Sequence, residues 1–505
     1  MNLVDSIIAT FDPERAFRRI HFRNAMKTYA AYEAAKPGRL RKGGIDNSSG
    51  DVVVDRSGAN LRGYARQLDQ NHDIARGVLN TLVNNVVGPN GISVEPQPMD
   101  KNGDILEDLA RELSILHEIW SKKPEVTHEY DRKTSERLTA RSWFRDGECL
   151  KQFLTGPVAG LQHGTVVPFS VELIEADYLP ISLTDESKGI VQGVEKNAWG
   201  RATGYHVYKK HPSDLRSLYN TETKRIPAER ITHLKHVDRI KQTRGVSVFA
   251  SVMRRLEDLK DYEESERIAA RVAAAMTAFI KKGNAEMYNG PDGANTERHI
   301  KMQPGMVADG LQIGEEIGTI QSNRPSILLE PFRNAMMKAV SAGTSTNYSS
   351  VARDYDGSYA SQRQELVEGW RNYEALTGLF ISQDTAPTYV QFVNACVLAR
   401  LVNVPANIDI RTIADADFRG PAMPWIDPEK EVKGKVLQEQ AGYKSAQQNI
   451  RESGGNPDQV RKQIKVWRMK NDDDGLVFIT DSKHELQAAL DSKEEAADDK
   501  STKGE

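Results

Sequence analysis

The chain has 505 residues, enough for two to four domains with sizeable cores. With 39% hydrophobic and 28% charged residues it has the balance of a soluble globular protein, and a net charge of −3 excludes a strongly basic nucleic-acid binder. Two cysteines, Cys149 and Cys396, both in apolar surroundings, exclude a secreted disulfide framework and predict buried, reduced thiols. There is no run of 18 apolar residues, and the N-terminal apolar patch precedes its arginines, the reverse of a signal peptide; neither a membrane span nor export by that route is expected.

Residues 1–45 carry nine Lys or Arg against four carboxylates and read as a basic, flexible arm. From Asn60, Leu61, Tyr64, Ala65 and Leu68 form one helical face. A second face runs from Ile74 through Val78, Leu82 and Val86 until Gly88-Pro89 stops it, and a strand begins at Ile92–Glu95. Helices are predicted from Ile105 to Trp120 and from Thr134 to Asp146, the latter ended by Gly147. Between 149 and 236 the period changes: short segments such as CLKQFL, VVPFSVELI and ATGYHVYKK are rich in β-branched and aromatic residues and read as an antiparallel sheet. Residues 46–240 are thus a mixed α+β body.

Gly245–Ile280 reads as one helix of roughly 50 Å. Val248, Val252, Leu256, Leu259, Tyr262, Ala269, Val272, Met276 and Phe279 advance by threes and fours along one stripe. Opposite them lie Glu257, Asp261 and Glu264, with Asp258 beside them. On an isolated helix such a strip is a solvated face; on copies packed in a ring it lines a central hole and repels phosphates. Ala269, Ala270, Ala273, Ala274, Ala275 and Ala278 allow neighbours to approach closely. Lys281–Ser326, broken by Gly and Pro, predicts a small β-containing module at the tip of a helical hairpin whose second helix runs from Pro331 to Ala342 and ends at Gly343. The polar, tyrosine-rich segment 343–361 is too long for a connecting turn. Helices resume at Gln362, continue through 426–470 with a break near Gly454-Gly455, and give way after Asn471 to eleven carboxylates against four lysines, a composition expected to be disordered.

Catalytic signatures are missing. Gly434-Lys435 is followed by Val436, so there is no phosphate-cradling G-x-x-x-x-G-K-[ST], and no GxSxG, HExxH or paired CxxC occurs. His233 and His236 are three apart, which on a strand puts them on opposite faces, and with His206 and His211 they read as ordinary polar strand residues rather than a metal site. Asp146 and Glu148 in RDGE read as routine polar residues where a helix enters a strand. No catalytic residue, metal or cofactor is expected.

An ordered set of stretches resembles the portal proteins of tailed bacteriophages, in the lambda-like branch. It includes RQLDQNHDIARGVLNTLVNNVVGPNGI at 66–92, ARSWFRDGECL at 140–150, VELIEADYL at 171–179, IPAERITHLKHVDRIKQTRGVSVFASVMRRLEDLKDY at 226–262 and GPAMPWIDPEKEVKG at 420–434. NYSS at 347–350 and YDGSYASQR at 355–363 both echo the family's single Tyr-Ser-Ser-x-Arg element. The resemblance implies an α+β, mainly helical portal fold assembling into a ring of about twelve subunits. Its parts would be a wing (46–240), a stem helix (241–280), a clip (281–326), a second stem helix (327–342), a tunnel loop (343–361), wing or crown-proximal helices (362–425) and a crown (426–470), with the N-terminal arm (1–45) and the acidic tail (471–505) outside the match.

It further implies a DNA conduit in the virion, at one capsid vertex, assembled in the host cytoplasm. Expected partners are double-stranded DNA, the terminase large subunit, head-completion and adaptor proteins, and the capsid and scaffold proteins. Glu257, Asp258, Asp261 and Glu264 would line the channel, and Asn347, Tyr348, Arg353, Tyr355 and Tyr359 would sit on the tunnel loop. The competing readings are a packaging ATPase or nuclease, which the missing phosphate cradle disfavours, and a scaffold or adaptor without a channel, which the long strut disfavours.

Overall fold

The apolar threes and fours of the first helical region become α1 (Gly50–Asn71) and α2 (Asp73–Val86). The structure, a computed structural model, describes residues 47–214, 222–275, 279–282, 315–318, 329–423 and 427–476. The chain divides into a short unit, Met1–Val53, and a main unit, Val54–Glu505. The basic arm, most of the clip segment and residues 477–505 lie outside the described residues.

After β1 (Ser93–Pro96) come α3 (Glu107–Ser121) and α4 (Arg132–Asp146). The first of these helices starts two residues later than predicted, because Ile105 is held in an antiparallel bridge to Met99. Helix α4 is capped by Asp131, which accepts a 2.8 Å hydrogen bond from the Thr134 amide, and it ends on Gly147 at φ 88. A Cβ on Gly147 would lie 2.4 Å from the Val246 carbonyl carbon. Gly147→Ala is therefore expected to cost about 1–3 kcal/mol in backbone strain, with the clash in addition, and urea unfolding measures it.

The β-region forms two antiparallel sheets rather than the single one predicted. One has the order β3–β2–β8, with β2 (Glu148–Thr155) central between β3 (Phe169–Glu175) and β8 (Ile231–Lys235). The other runs β4–β5–β6–β7, from Ile190–Val191 through Val194–Lys196 and Ala202–Tyr208 to Thr223–Pro227. Leu150, Ile174, Val207 and Ile226 belong to the apolar cluster shared by the two sheets, so each buries one face against the other.

The strut is α5 (Met253–Ala275), 23 residues or about 35 Å. It is shorter than Gly245–Ile280 at both ends. Its entry is not helical because the amides of Val246 and Val248 are already committed to the carbonyls of His236 and Phe144. Beyond it, Phe279–Lys282 is strand β9, paired antiparallel with β10 (Glu315–Gly318). Helix α6 (Leu329–Thr344) returns alongside, with the Tyr262 and Phe332 rings 4.7 Å apart and Arg333 donating to Glu263 at 2.7 Å.

The short α7 (Tyr348–Ala352) leads into α8 (Tyr359–Phe380), a π-helical turn (Ile381–Thr385) and α9 (Ala386–Leu398). Strand β11 (Ala416–Arg419) pairs antiparallel with β1, bringing the C-terminal third back onto the body. Helices α10 (Pro428–Gln440), α11 (Ala446–Glu452) and α12 (Pro457–Asp473) complete the described chain. The last of these carries helix past Asn471, where the acidic tail was expected to begin. Arg451 of α11 donates to Glu95 of β1 at 3.0 Å.

The largest core joins α2, α4, the strut root, α6 and α8 through residues such as Leu82, Trp143, Phe249, Leu256, Val340 and Tyr373. A second, built from Leu113, Trp120, Phe169, Tyr389 and Phe392, lies between α3, β3 and α9.

Candidate functional site

The strut buries Leu256 and Leu259 in the main core, beside Val252 of its entry, and exposes Glu257, Asp258, Asp261 and Glu264. The acidic strip is bordered by exposed cations, Arg254, Lys260, Arg267 and Arg271. Lys260 is drawn aside, donating to the Asn71 carbonyl at 3.1 Å. The buried stripe continues past Tyr262 on Glu266 rather than on an apolar residue.

Ahead of the strut's entry, the chain is tied to the body at Arg244 and Gly245 by a buried ionic cluster around Glu148, the first residue of β2. Both Glu148 and Arg244 have fully buried side chains, and their closest contact is 2.5 Å. The same carboxylate accepts from Arg62 at 3.0 Å, from the Gly245 amide at 2.9 Å, and lies 2.9 Å from His233 Nε2. Arg244 also donates to the carbonyls of Leu179, Gln192 and Ala176. Burial alone would raise the Glu148 pKa, but the Arg244 cation, the His233 hydrogen bond and the Arg62 cation hold it well below the ordinary carboxylate range. Burial moves His233 the other way, below the usual imidazole value, despite its bond to Glu148. Asp146, one turn-end away, is held by Arg66 at 2.8 Å and by Arg145 at 2.8 Å. A single carboxylate thus ties α1, β2, β8 and the two residues that launch the strut.

The segment 343–361 is partly folded. Gly343 does not end α6 but lies within it, where a Cβ would stand 2.4 Å from Val252 Cγ1, so the glycine serves close approach to the strut root. Asn347 is buried, with its amide donating to the Tyr373 hydroxyl at 3.4 Å and its side chain against the backbone of Gly369. Tyr348 is half-buried beneath Lys338 and donates to Asp354 at 3.1 Å. Beyond Val351, which is buried, Arg353 caps α7 at φ 56 and is exposed, as are Tyr355 and Tyr359. The structure therefore groups Arg353, Tyr355 and Tyr359 on open surface and places Asn347 and Tyr348 in the packing that holds them.

Residues 36–376, more than half of the chain, match the family described as phage portal protein, lambda family. The chain belongs to that family. Its function is that of a portal. It is 24% identical over 426 residues to a protein named probable portal protein of Halomonas phage phiHAP-1, spanning 82% of this chain and 81% of that one. Portal protein B of Escherichia phage lambda is 20% identical over 308 residues, 55% of this chain and 58% of the relative. Among solved structures, the neck of a native GTA particle computed with C12 symmetry matches 81% of this chain and 99% of that one at 13% identity and a TM-score of 0.44.

In this portal the residues that sequence reasoning passed over are those of the ionic cluster. Glu148 and Asp146 stand where polar residues are common, and the helix that carries Arg62 and Arg66 also carries Asp55 and Asp69, so no pattern in the sequence singled these residues out as buried. His233 lies on the cluster and His236 beside Trp143, so the two do not converge on a shared ligand. Ligand atoms of Glu175, Asp177 and His211 lie within 4.8 Å of one another. Asp177 is already paired with Arg62 at 3.0 Å and Arg66 at 2.5 Å, so its charge is met by two guanidinium groups. Cys149 and Cys396 are buried, and burial pushes both thiols up to about 12, which leaves them unreactive.

Proposed function

We propose that this portal works as a passive ring, of about twelve copies, whose strut faces carrying Glu257, Asp258, Asp261 and Glu264 line the bore through which double-stranded DNA passes. The supporting observation is that these four carboxylates are all exposed on a helix whose opposite face is locked into the core. An anionic wall does not form the salt-releasing contacts that trap DNA on cationic surfaces, so the duplex slides. The protein catalyses no covalent step in this reading. A separate motor, the terminase large subunit, docks on the clip during packaging; head-completion and adaptor proteins replace it afterwards, and capsid and scaffold proteins meet the wing. The ring sits in the virion at the portal vertex, after assembly in the host cytoplasm. Electron-microscope class averages of purified protein test the closed ring directly.

Grip on DNA comes from the exposed part of 343–361, where Arg353 meets phosphate and Tyr355 and Tyr359 offer hydroxyls and ring faces. Asn347 and Tyr348 serve as the anchored base of that loop. Arg353→Glu is expected to leave rings intact but to shorten or destabilise the packaged genome. A full-length genome retained in Arg353→Glu particles contradicts the assignment.

A further inference from the structure

The helix formed by α8 and α9 is interrupted by a π-helical turn that rotates Asp384 and Thr385 into the body. Asp384 accepts from Lys151 of β2 at 2.6 Å, both side chains being buried. Beneath this turn lies a cavity of about 20 Å³ lined by Ser135, Glu136, Lys151, Asp384, Thr385 and Tyr389, among others. Ser135, Thr385 and Tyr389 are each at least nine-tenths buried, and the Ser135 Oγ, Thr385 Oγ1 and Tyr389 Oη atoms have no protein hydrogen-bond partner.

Three buried hydroxyls from three elements line one small space whose other walls include the apolar Val94, Trp120, Pro124 and Val171, and a ligand that both donates and accepts satisfies them whichever way each hydroxyl turns. Its charge is constrained by the same walls. Lys151 and Arg132 disfavour a cation, and Glu136 and Asp384 disfavour an anion. Its size is constrained too: one water needs roughly 10–15 Å³ measured as space for its centre, and the cavity offers little more. A wholly apolar cavity stays dry, and what favours water in this one is the three unpartnered hydroxyls on its wall.

We propose that this cavity is a binding site for one ordered water molecule, which bridges Ser135 on α4, Thr385 in the π-turn and Tyr389 on α9. The water completes a polar joint between the two cores: α4 belongs to the core that holds the strut, and α9 to the one built on α3 and β3. It lets the π-turn keep Asp384 on Lys151 without stranding the hydroxyls around it.

A cryo-electron-microscopy map of the intact protein, at a resolution where buried solvent is visible, tests the site without any substitution. The expected result is one isolated peak at hydrogen-bonding distance, about 2.6–3.2 Å, from at least two of the three hydroxyls. A blank cavity in a map that shows other buried waters overturns the proposal, and so does a peak at metal-ligand distances of roughly 2.0–2.4 Å. A double-mutant cycle in urea gives an independent reading. Ser135→Ala and Tyr389→Phe should each lower the unfolding midpoint, and the double variant should fall by less than the sum, since either change already disrupts the bridge. Additive shifts, or no shift in either single variant, count against it.

Discussion

Glu148→Gln is expected to destabilise the folded chain by about 3–5 kcal/mol and to prevent most of it from assembling, because it leaves the buried Arg244, Arg62 and His233 side chains facing an uncharged amide. The loss measures uncompensated buried cations, not the net worth of the cluster compared with an apolar replacement. Urea midpoints and the fraction of protein eluting as a large assembly are the readouts. Glu195→Gln is the control, since Glu195 is partly exposed and pairs at 2.6 Å with the exposed Arg225, so its loss should be hard to detect. Wild-type behaviour of Glu148→Gln in both assays removes the claim that this carboxylate roots the strut.

The pH dependence has a definite sign. Glu148 has a folded pKa well below 4.5, so its contribution is fully present above the unfolded carboxylate range and is lost as pH falls through the folded value. His233 lies below 6.5 in the folded chain, and His117, buried first and then opposed by Arg132, is lowered to about 3. Below pH 6.5 the unfolded chain therefore takes up protons that the folded chain refuses, and stability declines with falling pH from there on. In Glu148→Gln the part of that decline below pH 4.5 should flatten.

The second large effect is expected from reversing the strut's acidic strip. Glu257→Lys, Asp261→Lys and Glu264→Lys together alter only exposed positions, so the fold and the ring should survive. If the strip faces DNA, each phosphate newly neutralised adds roughly 0.9 to the salt slope of log K for DNA binding to the ring, and filled particles become rare because the duplex is held rather than passed. The bordering cations supply the opposing test. Replacing Arg254, Arg267 and Arg271 by Gln should leave packaging intact in this arrangement; severe loss there, with the Lys triple variant normal, means that the cationic border and not the acidic strip meets DNA.

Much of the architecture was legible because it rests on local periodicity. The apolar faces of α1 and α2, the Gly147 stop of α4 and the change of period at 149 are all properties of neighbouring residues and appear where the pattern places them, although α1 begins at Gly50, ten residues before the expected Asn60. The strut was over-extended for a reason of the same kind. Its apolar spacing continues through 245–252 and up to Phe279, but spacing says nothing about amides already bound to distant carbonyls, or about the strand Glu315–Gly318, whose last residue pairs with Phe279.

The chain's own composition and order determined that it is a mainly helical α+β protein with a strut bearing carboxylates on one side, and the ordered stretches identified its family. Tertiary structure alone decided which polar residues are structural. It brought Glu148 to Arg244 across 96 positions, drew Asn347 into the body while leaving Arg353 outside, and turned Asp384 inward at the π-turn. Charge and polarity are properties of a residue, whereas burial and pairing are properties of its neighbours in space, and those neighbours are set by packing that joins segments hundreds of residues apart.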